Sequence, residues 1–172
     1  MAEQLIDYWK TRQGIRFEDF EGKPGRIINA RLLAGSDLLN GIVAIAKKYG
    51  IRAGIVSVCF GSLSKTEIRW EERTLEGPRG DKRSAPRLLH GPITFLSAQG
   101  KVGIPRQGEP VIHMHGVVAD TTGHVWGGHL FPGENPTYAT MDVVIQEIEG
   151  IEFAKIFDPE TQSELLRARR AE

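Results

Sequence analysis

Three of the five histidines in this 172-residue chain lie close together in the sequence. His113 and His115 are two residues apart, so in a strand their side chains point to the same face, about 6.5 to 7 Å apart along the chain. His129 follows the turn sequence Asp-Thr-Thr-Gly at 120–123. If 121–123 form a three-residue hairpin loop, His115 lies directly opposite His129 and all three rings share one face.

Three imidazoles on one face are suited to hold a metal ion. Neutral imidazole nitrogens bind zinc at about 2.0 to 2.1 Å, other divalent first-row metals accept the same ligands, and a fourth tetrahedral position is left for water, substrate or another side chain. The alternative is a set of ordinary strand histidines hydrogen-bonded to the backbone, because His-x-His is a common sequence. His124 has the opposite parity and is predicted to face away unless Gly127 and Gly128 form a bulge. The position of His90 does not follow from the sequence.

The elements that must position these histidines are mostly strands. Strand-like sequences cover 26–33, 88–102, 110–119, 124–131, 137–148 and 151–157. Between the first two, Ser36 is a predicted N-cap for a helix that ends at Gly50. Residues 51–70 predict a strand pair interrupted at Gly61, and 71–87 predict a long exposed loop. We therefore predict an α+β fold, a mostly antiparallel sheet with one main helix after the first strand.

Composition limits the classes of protein to consider. The chain has 22 basic and 22 acidic residues, so no net charge draws it to nucleic acid or to an acidic membrane. One cysteine, Cys59, excludes an intrachain disulfide framework, and its apolar neighbours predict a buried thiol. Neither an export signal nor a run of about 18 apolar residues is visible, so we expect a soluble, cytoplasmic protein with no membrane partner.

The order of several segments resembles that of one known domain. These are 31–39 (Arg-Leu-Leu-Ala-Gly-Ser-Asp-Leu-Leu), 50–54 (Gly-Ile-Arg-Ala-Gly), 96–100 (Leu-Ser-Ala-Gln-Gly), His-Met-His at 113–115, Gly-Gly-His-Leu at 127–130 and Phe-Asp-Pro-Glu-Thr at 157–161. Together they resemble the PPC (plants and prokaryotes conserved) domain, long a domain of unknown function. The resemblance divides the chain into an N-terminal leader over 1–25, a PPC-like domain over 26–166 and a C-terminal tail over 167–172.

The resemblance implies a homotrimer and, as in stand-alone prokaryotic members, a metal, usually zinc, on His113, His115 and His129. The site would bind a small ligand or activate water. Plant members bind DNA through a separate AT-hook with an Arg-Gly-Arg-Pro core, which this chain lacks. They also contact partner transcription factors through a Gly-Arg-Phe-Glu-Ile-Leu segment, where this chain has Gly-Pro-Ile-Thr-Phe-Leu at 91–96.

Three functions are therefore considered, the last of them a structural assembly module that holds a structural metal. The first is a homotrimeric metal-binding protein, either a binder of small molecules or a hydrolase. No catalytic residue is assigned, because Glu67, Glu109 and Asp142 are the candidate acids and bases and the sequence does not place them beside the histidines. The alternative is a DNA-binding or transcription-associated regulator, supported only by basic residues in the loop and near the C-terminus: Arg79, Lys82, Arg83, Arg87, Arg167, Arg169 and Arg170. No cofactor other than the metal is predicted.

Overall fold

Antiparallel sheet dominates the fold. The computed structural model describes residues 14–73 and 81–171. Its elements are β1 (Lys23–Leu33), α1 (Leu38–Tyr49), β2 (Gly54–Arg69), β3 (Glu71–Arg73), β4 (Asp81–Arg83), β5 (Arg87–Gly103), β6 (Val111–Ala119), β7 (Val125–Leu130), β8 (Thr137–Glu149), β9 (Ile151–Asp158) and β10 (Ser163–Arg170). The main sheet has the order β1-β8-β2-β5-β6-β7, and β9-β10 and β3-β4 form two-stranded sheets. The prediction of a mostly antiparallel sheet with one short helix after the first strand is confirmed for the described residues.

The main sheet curls so that the end of β2 also meets β7. Ile68 pairs with Leu130 and Arg69 pairs with His129, in addition to the pairing of β2 with β5 and β8. This contact brings a basic residue of β2 to the predicted histidine of β7, although about 60 residues of chain separate the two strands.

The helix α1 begins one residue later than its predicted cap indicated. Asp37, not Ser36, is the N-cap: its backbone is extended and its carboxylate accepts a hydrogen bond of 2.9 Å from the Asn40 N–H. The Ser36 N–H instead donates to the Leu33 carbonyl in the preceding turn. Gly50 ends the helix with a φ of 62°, a left-handed conformation that glycine adopts without strain.

Residues 54–69 form a single strand, which corrects the predicted strand pair. Gly61 lies inside β2, where it causes a shift in the pairing with β8 rather than a turn. A Cβ at this position would lie 2.2 Å from the Thr140 carbonyl oxygen, so the glycine permits close approach of two backbones. Gly61 predicts an interruption between two strands, but in the structure it marks a close contact between β2 and β8.

Two further elements differ from the predictions. The predicted loop over 71–87 contains the short hairpin β3-β4, with residues 74–80 outside the described part of the chain. The strand β10 was not predicted, because its sequence is rich in arginine and glutamate and lacks clear alternation. It pairs with β9, and the resulting hairpin packs a small second core around Ala53, Val111 and Phe153.

The two faces of the main sheet differ in what covers them. The helix α1 packs its buried residues Leu38, Leu39, Ile42 and Ala46 into a core with inward-facing strand residues such as Phe95. We call the other side the open face. It carries the exposed apolar residues Val58, Phe60, Leu96, Val117, Val125 and Tyr138.

Candidate metal centre

The β6-β7 hairpin has the predicted register. His115 pairs with His129, and the ladder continues without a bulge to Ala119 and Val125. The Asp120 carboxylate fixes the turn, since it accepts hydrogen bonds from the Thr122 N–H and hydroxyl, the His124 N–H and the Trp126 indole N–H. These bonds, that of Trp126 first, hold the pKa of Asp120 well below its usual range. The turn is thus anchored by a carboxylate that stays ionised.

The hairpin brings the three histidine rings together on the open face. The Nε2 atoms of His113 and His115 lie 3.0 Å apart, and His129 Nδ1 lies 3.4 Å from His115 Nε2. One nitrogen from each ring lies within 4.8 Å of the other two. Tetrahedral ligands at 2.0 to 2.1 Å from a zinc ion are about 3.3 to 3.4 Å from one another. Two of the nitrogen spacings, 3.0 and 3.4 Å, are close to this value, and the three rings converge on one region of the open face.

The prediction that His124 faces away from the other three histidines is confirmed. His124 lies outside the histidine group and against Trp126, with ring centroids 4.9 Å apart. Met114, between His113 and His115 in the sequence, points into the core and is fully buried, as alternation within a strand requires. His90, whose position the sequence did not predict, is on β5 opposite Lys65.

The surroundings of the site favour the neutral form of two of its rings, His113 and His129. Burial is the main cause that lowers the pKa of His113, and His115, Arg83 and Lys101 lower it further. Burial, followed by the charges of His113 and Arg83, lowers the pKa of His129 to about 4. A neutral imidazole has a free lone pair for a metal, so His113 and His129 have the protonation state that coordination requires at neutral pH.

None of the three candidate acids belongs to the ligand group. Glu67 forms an ion pair with Arg69 at 2.7 Å, Asp142 forms one with Arg31 at 2.8 Å, and Glu109 is exposed. Glu67 comes nearest to the site by register, because its partner Arg69 is paired with His129. The Glu67 carboxylate forms its ion pair with Arg69 and does not belong to the group of possible metal ligands.

Sequence reasoning missed two basic residues of the site, Lys101 and Arg69. Lys101 pairs with His113 across β5 and β6, and Arg69 pairs with His129 across β2 and β7. The loop between β5 and β6 is not a tight turn, and β5 contains a bulge between Phe95 and Ser97, so no rule of turn length gives their register. The pairing of β2 with β7 is a long-range contact with no local sequence signal.

Most of the basic residues behind the DNA-binding alternative have partners. Arg167 forms an ion pair with Glu18, Arg169 forms one with Glu152 at 2.7 Å, and Arg87 lies over the Trp126 ring at 4.6 Å. Arg83 lies 3.8 Å from Glu71, and Arg79 lies outside the described residues.

Cys59 is buried in the core, as predicted. Desolvation raises the pKa of its thiol to about 12, so it remains protonated and unreactive at neutral pH. Among the described residues, no helix is long and apolar enough to span a bilayer.

The chain belongs to the Plants and Prokaryotes Conserved (PCC) domain family, whose model matches residues 19–149. This finding confirms the resemblance to the PPC domain. The bifunctional protein GlmU of Synechococcus sp. strain JA-2-3B'a(2-13) is 31% identical over 136 residues, which cover 79% of this chain and 19% of GlmU. The chain therefore spans about a fifth of the length of the curated relatives it matches.

Two solved structures share the fold. A metal-containing protein from Archaeoglobus fulgidus is 24% identical with a TM-score of 0.72, and the match covers 88% of this chain and 99% of that protein. A plant- and prokaryote-conserved (PPC) protein from Pyrococcus horikoshii is 25% identical with a TM-score of 0.68, covering 86% and 96% of the two chains.

Proposed function

We propose that this protein is a homotrimeric metal-binding PCC-domain protein. His113, His115 and His129 hold zinc or another divalent first-row metal, and the fourth position on the metal is open to a small ligand. The observation that carries the proposal is the convergence of three histidine rings, with two of the nitrogen spacings close to those of tetrahedral ligands. The metal-containing relative from Archaeoglobus fulgidus supports it.

The chemistry of the donor set agrees with such a metal. Three neutral nitrogens with one open position form the ligand pattern of reactive zinc sites, where the metal polarises whatever ligand it binds. The three-histidine group contains no carboxylate or thiol. We therefore assign no general acid or base, and the proposal is a ligand-binding metal centre rather than a named reaction.

The open face supports assembly into a homotrimer. Phe60, Leu96 and Val117 lie on the adjacent strands β2, β5 and β6 and are 50%, 46% and 40% exposed. Apolar residues on neighbouring strands form a continuous patch that a soluble monomer rarely leaves in water. Among the described residues, the one helix covers only the opposite face, so we infer that another copy of the chain covers the open face. The number three comes from the family resemblance.

Elemental analysis of the purified protein, together with its mass in solution, tests both parts of the proposal. We expect one metal per chain and a particle of three times the 19.1 kDa chain mass. In His115→Ala, the metal should be lost, because the ring at the centre of the group is removed. His124→Ala is the matched control and should keep full occupancy, since its ring stacks on Trp126. Full occupancy in His115→Ala, or equal loss in both variants, would contradict the assignment.

A further inference from the structure

A cleft of about 690 Å³ opens beside the histidine group. His113 and His115 form one wall, and their cross-strand partners Lys101 and Gln99 on β5 lie next to them. Ser57 on β2 adds a hydroxyl to the same cleft. The cleft has the size range of small-molecule sites, and its polar groups lie next to the proposed metal position.

The charge in this cleft is uncompensated and positive. Three neutral imidazoles leave the two charges of a divalent metal unbalanced, and an anionic fourth ligand would reduce them. Among the described residues, no carboxylate oxygen lies within 4 Å of the Lys101 ammonium group. This ammonium group lies 5.3 Å from the centre of the Phe153 ring. Arg69 and Arg83, the other basic residues near the histidines, each have a glutamate partner. Lys101 is therefore the cation best placed to meet an anion.

The remaining walls of the cleft are apolar. Ile55 pairs with Lys101 from the β2 side, and Leu166 reaches the cleft from the β9-β10 hairpin. A bare inorganic anion would leave these walls in water, whereas an organic anion with a short hydrocarbon part would cover them. Burial of each methylene group contributes about 0.8 kcal/mol, so the apolar walls favour an organic ligand.

We propose that this cleft binds a small organic carboxylate, with the carboxylate between the metal and the Lys101 ammonium group and its hydrocarbon part against Ile55 and Leu166. The proposal rests on the metal centre proposed above and names the class of ligand that this centre takes. Gln99 and Ser57 are the further groups able to donate hydrogen bonds to the carboxylate oxygens.

The test uses the full chain loaded with Co²⁺, whose visible absorption reports a change of ligand, and butyrate as the probe. Butyrate should alter the spectrum and bind more tightly than acetate or inorganic phosphate, and butylamine should have no effect. In Lys101→Met, butyrate should bind about tenfold more weakly, as is typical for loss of a charge-assisted hydrogen bond. Lys101→Arg should recover most of the affinity. Lys47→Met, in the last turn of α1 on the covered side, is the matched control.

Metal content separates failure of this proposal from failure of the metal centre. Lys101→Met should bind metal as well as the unaltered protein or better, because a cation beside His113 is removed. If Co²⁺ binds and butyrate leaves its spectrum unchanged, or binds equally to Lys101→Met, the carboxylate proposal is wrong and the metal centre stands. Tighter binding of phosphate than of butyrate would contradict the role of the apolar walls. Failure of Co²⁺ to bind at all would overturn both proposals.

Discussion

On the covered side of the main sheet, Ile42, Phe95 and Met114 are at most 1% exposed, whereas on the open face Phe60 and Tyr138 are 50% and 56% exposed. The same strands build both sides, because successive side chains alternate between them. Met114 shows the alternation most clearly, since it lies in the core while its neighbours in sequence are two of the clustered histidines. The covered side supplies most of the apolar burial that stabilises the fold. The open face carries the three clustered histidines and the exposed apolar residues.

The largest expected effect is the loss of stability when the covered side is disrupted. Phe95→Ala removes a fully buried ring and should lower the free energy of unfolding by about 3 to 5 kcal/mol. Phe60→Ala, on the open face, should cost less than about 1 kcal/mol at concentrations where the subunits are apart, since half of its side chain is already in water. Urea unfolding of both variants measures the difference. Equal losses would show that the open face belongs to the folding core of the single chain.

A charge on the open face should break assembly without unfolding the chain. We expect Phe60→Arg to reduce the mass in solution from that of a trimer toward that of one chain, because an arginine would have to be desolvated in an apolar interface. Its far-ultraviolet circular dichroism should be unchanged. Tyr49→Arg is the matched control at the end of α1, where the side chain is 38% exposed. If Phe60→Arg keeps the trimer mass, the open face is not the interface.

The comparison of the two sides also explains what could be predicted from the sequence. Alternation within β6 and the length of the turn at 120–123 were enough to place His115 opposite His129, since both are local. The pairing of Lys101 with His113 depends on the connection over 104–110, whose length gives no register, and that of Arg69 with His129 depends on strands far apart in the sequence. The role of Gly61 could not be predicted either, because its close partner Thr140 is far away in the sequence. The convergence of the three histidines was therefore predictable from local sequence, but the charges around them were not.

Acidification should affect the histidine site before it affects the apolar patch. In the folded chain the pKa of His129 is lowered to about 4, against about 6.5 for an unperturbed imidazole. The unfolded chain thus binds more protons, so this histidine stabilises the fold above about pH 6.5, and that contribution is lost as the pH falls toward about 4. His129 therefore stays neutral until the pH approaches about 4, and metal should leave the site near that pH, while the trimer persists because its apolar patch does not titrate.

A titration from neutral pH to about 3.5 tests this separation, with a chelating dye to follow released metal and light scattering to follow assembly. We expect the metal signal to change while the scattering mass stays at that of a trimer. If the trimer dissociates in step with metal release, the three histidines hold the subunits together. That result would favour a structural metal over an open ligand site.

The smallest expected signal is the binding of the protein to DNA, the alternative function considered for this chain. Arg167 and Arg169 are paired with Glu18 and Glu152, and the chain has equal numbers of acidic and basic residues. Only a few phosphates can then be neutralised, so the affinity for a duplex should be weak and should disappear between about 50 and 200 mM salt. Fluorescence anisotropy of a labelled duplex at both salt concentrations measures this. The double variant Arg83→Gln/Arg87→Gln should change the result little.

DNA binding that persists at the higher salt concentration would contradict this expectation. The double variant Arg83→Gln/Arg87→Gln then tests where the DNA contacts the protein. Arg83 ends β4 and Arg87 begins β5, and the charge of Arg83 lowers the pKa of His113 and His129. If the double variant abolishes salt-resistant binding while His115→Ala leaves it intact, DNA binds at these two arginines independently of the metal. If both variants abolish it, the metal centre orders the DNA-binding surface, and the open face serves a nucleic acid rather than a small carboxylate.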